Sequence, residues 1–168
     1  MKILVDADSC PGPARDLLLR TAARTGVKTI FAANRLLPGV GGGAAVMELC
    51  PPGKDSADNR IFNLAEKGDL AITRDVPLAS RLVEASVTVM DDRGRVYTGE
   101  NIRERLSLRN FMVGLAENGL GADRSANYGR KELKAMADSL DRFLAQTKKK
   151  ERQKNPPPAE PFRRPEES

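Results

Sequence analysis

Apolar residues along the chain fall in short runs bounded by turn-forming residues, and these runs alternate with stretches of helical period. Lys2 to Val5 is one such run, closed by Asp6 and by Ser9-Cys10-Pro11-Gly12, which predicts a buried strand followed by a turn. Pro13 suits the first turn of a helix whose inward stripe is Leu17, Leu18, Thr21 and Ala22 and whose stop is Gly26. Val27 to Ala33 predicts a second strand. Strand, helix and strand in that order form a βαβ unit, which implies a parallel sheet.

Further along, Asn34 to Gly43 reads as a flexible glycine-rich loop, without the Lys-Ser/Thr of a phosphate-cradling motif. Ala44 to Cys50 fits either a short strand or an apolar loop. Pro51-Pro52-Gly53 breaks the chain, Asp55 is the expected N-cap, and a helix is predicted from about Ser56 to Lys67, ending at Gly68. Leu70 to Thr73 is another short buried strand. Pro77 opens a helix to about Glu84, and Ser86 to Met90 is a strand. Asp91-Asp92-Arg93-Gly94 predicts a hairpin turn, with Arg95 to Thr98 returning. A helical pattern runs from about Glu100 to Asn118 with a break near Ser107, and Gly119 and Gly121 punctuate it. The last helix spans Lys131 to Thr147. The expected organisation is one α/β domain over residues 1–147, three-layered, with a mostly parallel central sheet and flanking helices. Residues 148–168, with Lys148-Lys149-Lys150 and five prolines, read as a disordered tail.

Composition narrows the chemistry. The chain of 168 residues contains no histidine. That excludes a Ser-His-Asp triad, a Cys-His dyad and a histidine-ligated metal, so acid–base work falls to carboxylates, Lys, Tyr, Cys or metal-bound water. Two cysteines without a CxxC pattern support neither a disulfide framework nor a thiolate zinc site. Cys10 reads as a packing residue. The formal charge of +5 points only weakly to nucleic acid, because seven Lys or Arg against four Glu in residues 148–168 account for +3 of it. No run approaches the roughly 20 apolar residues of a membrane span, and Ile3 to Val5 is too short for a signal peptide's apolar region. The expected location is cytoplasmic.

In open parallel sheets, ligands bind beyond the carboxyl ends of the strands. Asp6 and Asp8 follow the first strand, Asp75 follows the Leu70–Thr73 strand, and Asp58 falls in the first turn of a helix at the same edge. Four carboxylates converging there would suit Mg²⁺ or Mn²⁺, which favour hard oxygen ligands. Bound metal can activate water and stabilise the charge of a reacting phosphodiester, without histidine. Each acid also has a structural reading. Asp6 and Asp8 can order the Ser9–Pro11 turn or cap the first helix, Asp58 can serve the helix dipole, and Asp75 can be an N-cap. Asp91 and Asp92 read as turn residues, and Asp69, at a strand start, as structural. Lys54 and Arg74, beside Asp55 and Asp75, are candidate phosphate contacts.

Several blocks together carry a resemblance. Asp6-Ala7-Asp8-Ser9-Cys10-Pro11, Ala33-Asn34 and Asp55-Ser56-Ala57-Asp58-Asn59 resemble the YaiI/YqxD family of bacterial proteins. So do Gly68 to Ala79, Arg93 to Thr98 and Ile102 to Leu106. The similarity covers about the first 120 residues. It implies a PIN-like fold, whose active members are metal-dependent nucleases acting mostly on RNA. By position it implies Asp6, Asp58 and Asp75 as the site acids, with Asp8 beside them, Asn34 orienting a ligand, and Ser9 and Thr73 binding phosphate or ordering the carboxylates. Asp91 and Asp92, the Gly39–Gly43 loop and the Pro-rich tail fall outside that pattern. The expected substrate is single-stranded RNA; the sequence gives no oligomeric state. Two other functions remain open. The apolar strand ending in Asp6-Ala7-Asp8 also fits a haloacid dehalogenase-type phosphatase with Asp6 as nucleophile, and the same scaffold can serve a non-catalytic RNA-binding or regulatory protein.

Overall fold

A computed structural model describes residues 1–118 and 127–156. Six strands form one sheet in the order β3-β2-β1-β4-β5-β6. They are β1 (Ile3–Asp6), β2 (Thr29–Ala33), β3 (Ala45–Leu49), β4 (Leu70–Ile72), β5 (Thr88–Met90) and β6 (Val96–Tyr97). The first five run parallel, and β6 returns antiparallel to β5 through the turn expected at Asp91–Gly94. The helices are α1 (Gly12–Thr25), α2 (Ser56–Leu64), α3 (Val76–Glu84), α4 (Gly99–Glu117) and α5 (Arg130–Lys154).

The three expected layers follow from alternation along the strands. Ile3, Val5, Phe31 and Ile72 project into one core with Leu18 and Ala22 of α1 and Met136, Leu140 and Leu144 of α5. Leu4, Ile30, Ala71 and Val89 project into the other with Ile61 of α2, Leu78 and Leu82 of α3 and Ile102 of α4. Central strands covered on both faces need continuous apolar runs, which is how β1, β2 and β4 read. The α1 stop is Gly26, whose φ of 69° is left-handed and natural for glycine.

Several boundaries differ from the sequence expectation. Ala44 to Cys50 resolves as an edge strand. α2 ends at Leu64 rather than Lys67, because Asp69 accepts from the Glu66 amide at 2.9 Å and folds residues 66–69 into a turn. α4 is continuous through Ser107. Its start is secured by Thr98 and Asn101, each accepting from the other's amide through its side chain. α5 continues to Lys154, so the tail's three lysines are helical. Gly119, Gly121 and the prolines beyond Pro156 lie outside the described residues. Among the described residues no helix is long and apolar enough to cross a membrane.

Candidate functional site at the carboxyl edge of the sheet

β1 and β4 are adjacent and parallel, so both deliver their last residues to the same edge. Asp6 closes β1 and is only 5 % exposed. Its Oδ2 accepts from Ser9 Oγ at 2.7 Å and from Thr73 Oγ1 at 2.8 Å. Thr73 directly follows β4, and its hydroxyl also accepts the Asp75 amide at 2.9 Å. Asp75 in turn caps α3, its Oδ1 accepting from the Leu78 amide at 2.7 Å. One chain of hydrogen bonds therefore ties the end of β1 to the start of α3.

An open cleft of about 440 Å³ lies over this edge, lined by Asp6, Asp8, Ser9, Asn34, Asp55, Ser56, Ala57, Asp58, Arg74 and Asp75. All four acids expected from the sequence line it, together with Ser9, Asn34 and Arg74. Asp8 is exposed at the rim, where its Oδ2 accepts the Asn34 amide at 3.0 Å. Thr73 and Lys54 do not line it. Thr73 is 2 % exposed and its hydroxyl is engaged with Asp6 and the Asp75 amide, so of its two expected roles it fills the ordering one. Lys54 is exposed outside the lining, where Gly53 and the left-handed Asp55 turn the chain. Asp55 itself differs from expectation. It sits at φ 62° and its side chain makes no capping hydrogen bond; instead it lines the cleft.

The electrostatics mark the cluster. Burial pushes the Asp6 carboxyl above the usual carboxylate range; the Ser9 and Thr73 hydroxyls oppose this, and the charge of Asp75 adds to it. The Asp58 carboxyl is pushed up to about 6 by burial and then by Asp75, Asp6 and Asp55, with Arg81 opposing. Among the described residues none of these five aspartates takes part in an ion pair. Yet no three Asp, Glu or Cys side chains among the described residues stand close enough together to hold a metal ion unaided.

Asp91 and Asp92 are buried away from the cleft. Asp91 Oδ1 accepts the amides of Arg93 and Arg95, each at 2.9 Å, which is the turn role expected. Asp92 does more than the sequence suggests, since its Oδ2 accepts from Arg74 Nε at 2.7 Å. The Cys10 thiol is pushed up to about 12 by burial and then by Asp92, which disfavours its thiolate.

The fold and this edge define a three-layer α/β protein with an acidic cleft across its central strands. The model described as "Uncharacterized BCR, YaiI/YqxD family" matches residues 4–146, and the chain belongs to that family. The match extends beyond the first 120 residues to take in most of α5. The chain is 47% identical over 145 residues to the UPF0178 protein of Treponema pallidum (strain Nichols), covering 86% of this chain and 82% of that one. It is 45% identical over 153 residues to the UPF0178 protein of Myxococcus xanthus (strain DK1622), covering 90% and 99%. No solved structure matches it.

Proposed function

We propose that the protein is a cytoplasmic, metal-dependent phosphodiesterase with a PIN-like fold, acting on single-stranded RNA. The observation that carries the reading is the cleft itself. Aspartates from three separate segments, Asp6 and Asp8, Asp55 and Asp58, and Asp75, meet there without ion-pair partners among the described residues, and their charges add to burial in raising the Asp6 and Asp58 carboxyls. Their hard oxygen donors fit Mg²⁺ or Mn²⁺. Mg²⁺ in particular is commonly held by one or two carboxylates, with waters and substrate phosphate filling the other positions, so a tight triad is not required. Asp6 and Asp75 would hold the ion, and Asp58 and Asp8 would complete or support its shell. When bound, the ion would supply Lewis-acid stabilisation of phosphate charge and a more acidic water.

The chain's own residues account for the remainder. Asp6 is fixed through Oδ2 by two hydroxyls, which leaves Oδ1 outside both bonds. Asp58 stands in the same cleft as Asp6 and Asp75, where its carboxylate would accept a proton from an attacking water. Asn34, Ser9 and Arg74 line the cleft where a polynucleotide would lie. Titration of Mn²⁺ by calorimetry into wild type and Asp6→Asn, alongside cleavage of a single-stranded RNA, tests this. Saturable uptake and cleavage, both lost in the variant, are expected; cleavage that persists in Asp6→Asn would reject the mechanism.

One observation favours a second reading, a non-catalytic RNA-binding or regulatory protein: among the described residues no three carboxylates already form a metal set. RNA binding unaffected by Asp6→Asn, without cleavage, would support it. A haloacid dehalogenase-type phosphatase would take its last acidic motif from Asp91 and Asp92 after β5, but Asp91 accepts the Arg93 and Arg95 amides and Asp92 accepts from Arg74.

A further inference from the structure

We infer that Asp92 and Tyr128 are positioning residues that hold the Arg74 guanidinium at the rim of the cleft, where it meets a phosphate of the polynucleotide. The inference rests on the proposed nuclease or RNA-binding reading. Arg74 is the one Arg or Lys among the described residues that line a cleft otherwise supplied with five aspartates. A free arginine there would fold down onto those carboxylates. Instead the guanidinium is held from behind: Nε donates to Asp92 Oδ2 at 2.7 Å, and Nη2 makes a second contact with the same oxygen. Asp92 is 3 % exposed, whereas the Arg74 side chain is 41 % exposed.

The third member comes from the chain that leads into α5. The Tyr128 ring lies 5.8 Å from Arg74 Cζ, and its hydroxyl donates to the Asp92 carbonyl at 2.7 Å. One residue thus covers a face of the guanidinium and ties down the residue that grips its edge. Nη1 has no partner among the described residues. A planar fork with one edge fixed and another free is the form that recognises phosphate oxygens. Hydrogen bonding to Asp92 also keeps Arg74 charged, raising an already high pKa.

The test uses fluorescence anisotropy with a nuclease-resistant 2′-O-methyl single-stranded oligonucleotide in Mn²⁺ buffer, at several salt concentrations, with Mn²⁺ calorimetry in parallel. Arg74→Ala should weaken oligonucleotide binding about tenfold and reduce the salt slope by about one. Arg74→Lys should restore the slope and not the affinity. Asp92→Asn and Tyr128→Phe should weaken binding several-fold while Mn²⁺ uptake is unchanged. Tyr128→Phe removes only a hydroxyl from a partly exposed ring, so it remains informative should Asp92→Asn unfold. Equal affinity in wild type, Arg74→Ala and Tyr128→Phe would overturn the clamp and leave the metal reading standing. Wild type that binds neither Mn²⁺ nor oligonucleotide would overturn both.

Discussion

Asp6 and Asp69 are buried carboxylates at opposite ends of the same pair of central strands, and they are treated in opposite ways. At the amino edge Asp69, 3 % exposed, accepts the Lys2 amide through Oδ1 at 2.9 Å and the Glu66 amide through Oδ2 at 2.9 Å. The Lys2 ammonium sits 2.6 Å from Oδ2. Desolvation works against that ammonium, yet its bonds to Asp69 and Glu66 hold its pKa above the usual lysine value. Donors, charge and geometry are all matched. At the carboxyl edge Asp6 receives two neutral hydroxyls and, among the described residues, no cation, and it faces further carboxylates. A buried charge used to hold a fold is neutralised by the fold. One left short of positive charge is the better candidate for a ligand site.

Asp6→Asn should lower Mn²⁺-dependent RNA cleavage by on the order of 10³-fold, about 4 kcal/mol of transition-state stabilisation, without lowering the melting temperature. Asp69→Asn should do the reverse. Removing one member of a largely buried pair costs about 3 kcal/mol, so denaturant unfolding should show a clear loss while the folded fraction keeps its Mn²⁺ isotherm and its activity. A large stability loss in Asp6→Asn, or lost Mn²⁺ uptake in Asp69→Asn, would mean that the two edges do not differ as described.

The same contrast explains what the sequence makes legible. Strands covered on both faces announce themselves as apolar runs, so β1, β2 and β4 and the acids after them are readable from local pattern. β3 is ambiguous because an edge strand leaves Val46, Met47 and Glu48 partly exposed. The end of α2 is misread because Ala65, Glu66 and Lys67 all favour helix, while a tertiary anchor, Asp69 on Lys2 and the Glu66 amide, pulls the chain into a turn. Asp55 has the spacing of a cap, but its left-handed backbone turns the side chain to another use. The grip of Asp92 on Arg74, and the ring of Tyr128 beside it, join residues far apart in sequence. No local periodicity encodes such contacts.

The smallest effect concerns Asp58. Its folded pKa, about 6, stands above the 3.8 of an unperturbed aspartate. The folded state therefore binds a proton more tightly than the unfolded state between these values. Stability from this group is fully present below about pH 4 and falls as pH rises towards 6; above that it is flat. Asp58 is only partly buried, so after solvent screening the amplitude should be about 1 kcal/mol. Chemical denaturation of the metal-free protein from pH 4 to 7 should show this downward component, and Asp58→Asn should remove it and be the more stable protein at pH 7. Saturating Mn²⁺ should flatten the wild-type profile as well, because a cation relieves the same repulsion that the proton relieves. A profile that Asp58→Asn leaves unchanged would mean that the cleft aspartates do not sense one another, and the distinction between the two edges of the sheet would lose its electrostatic basis.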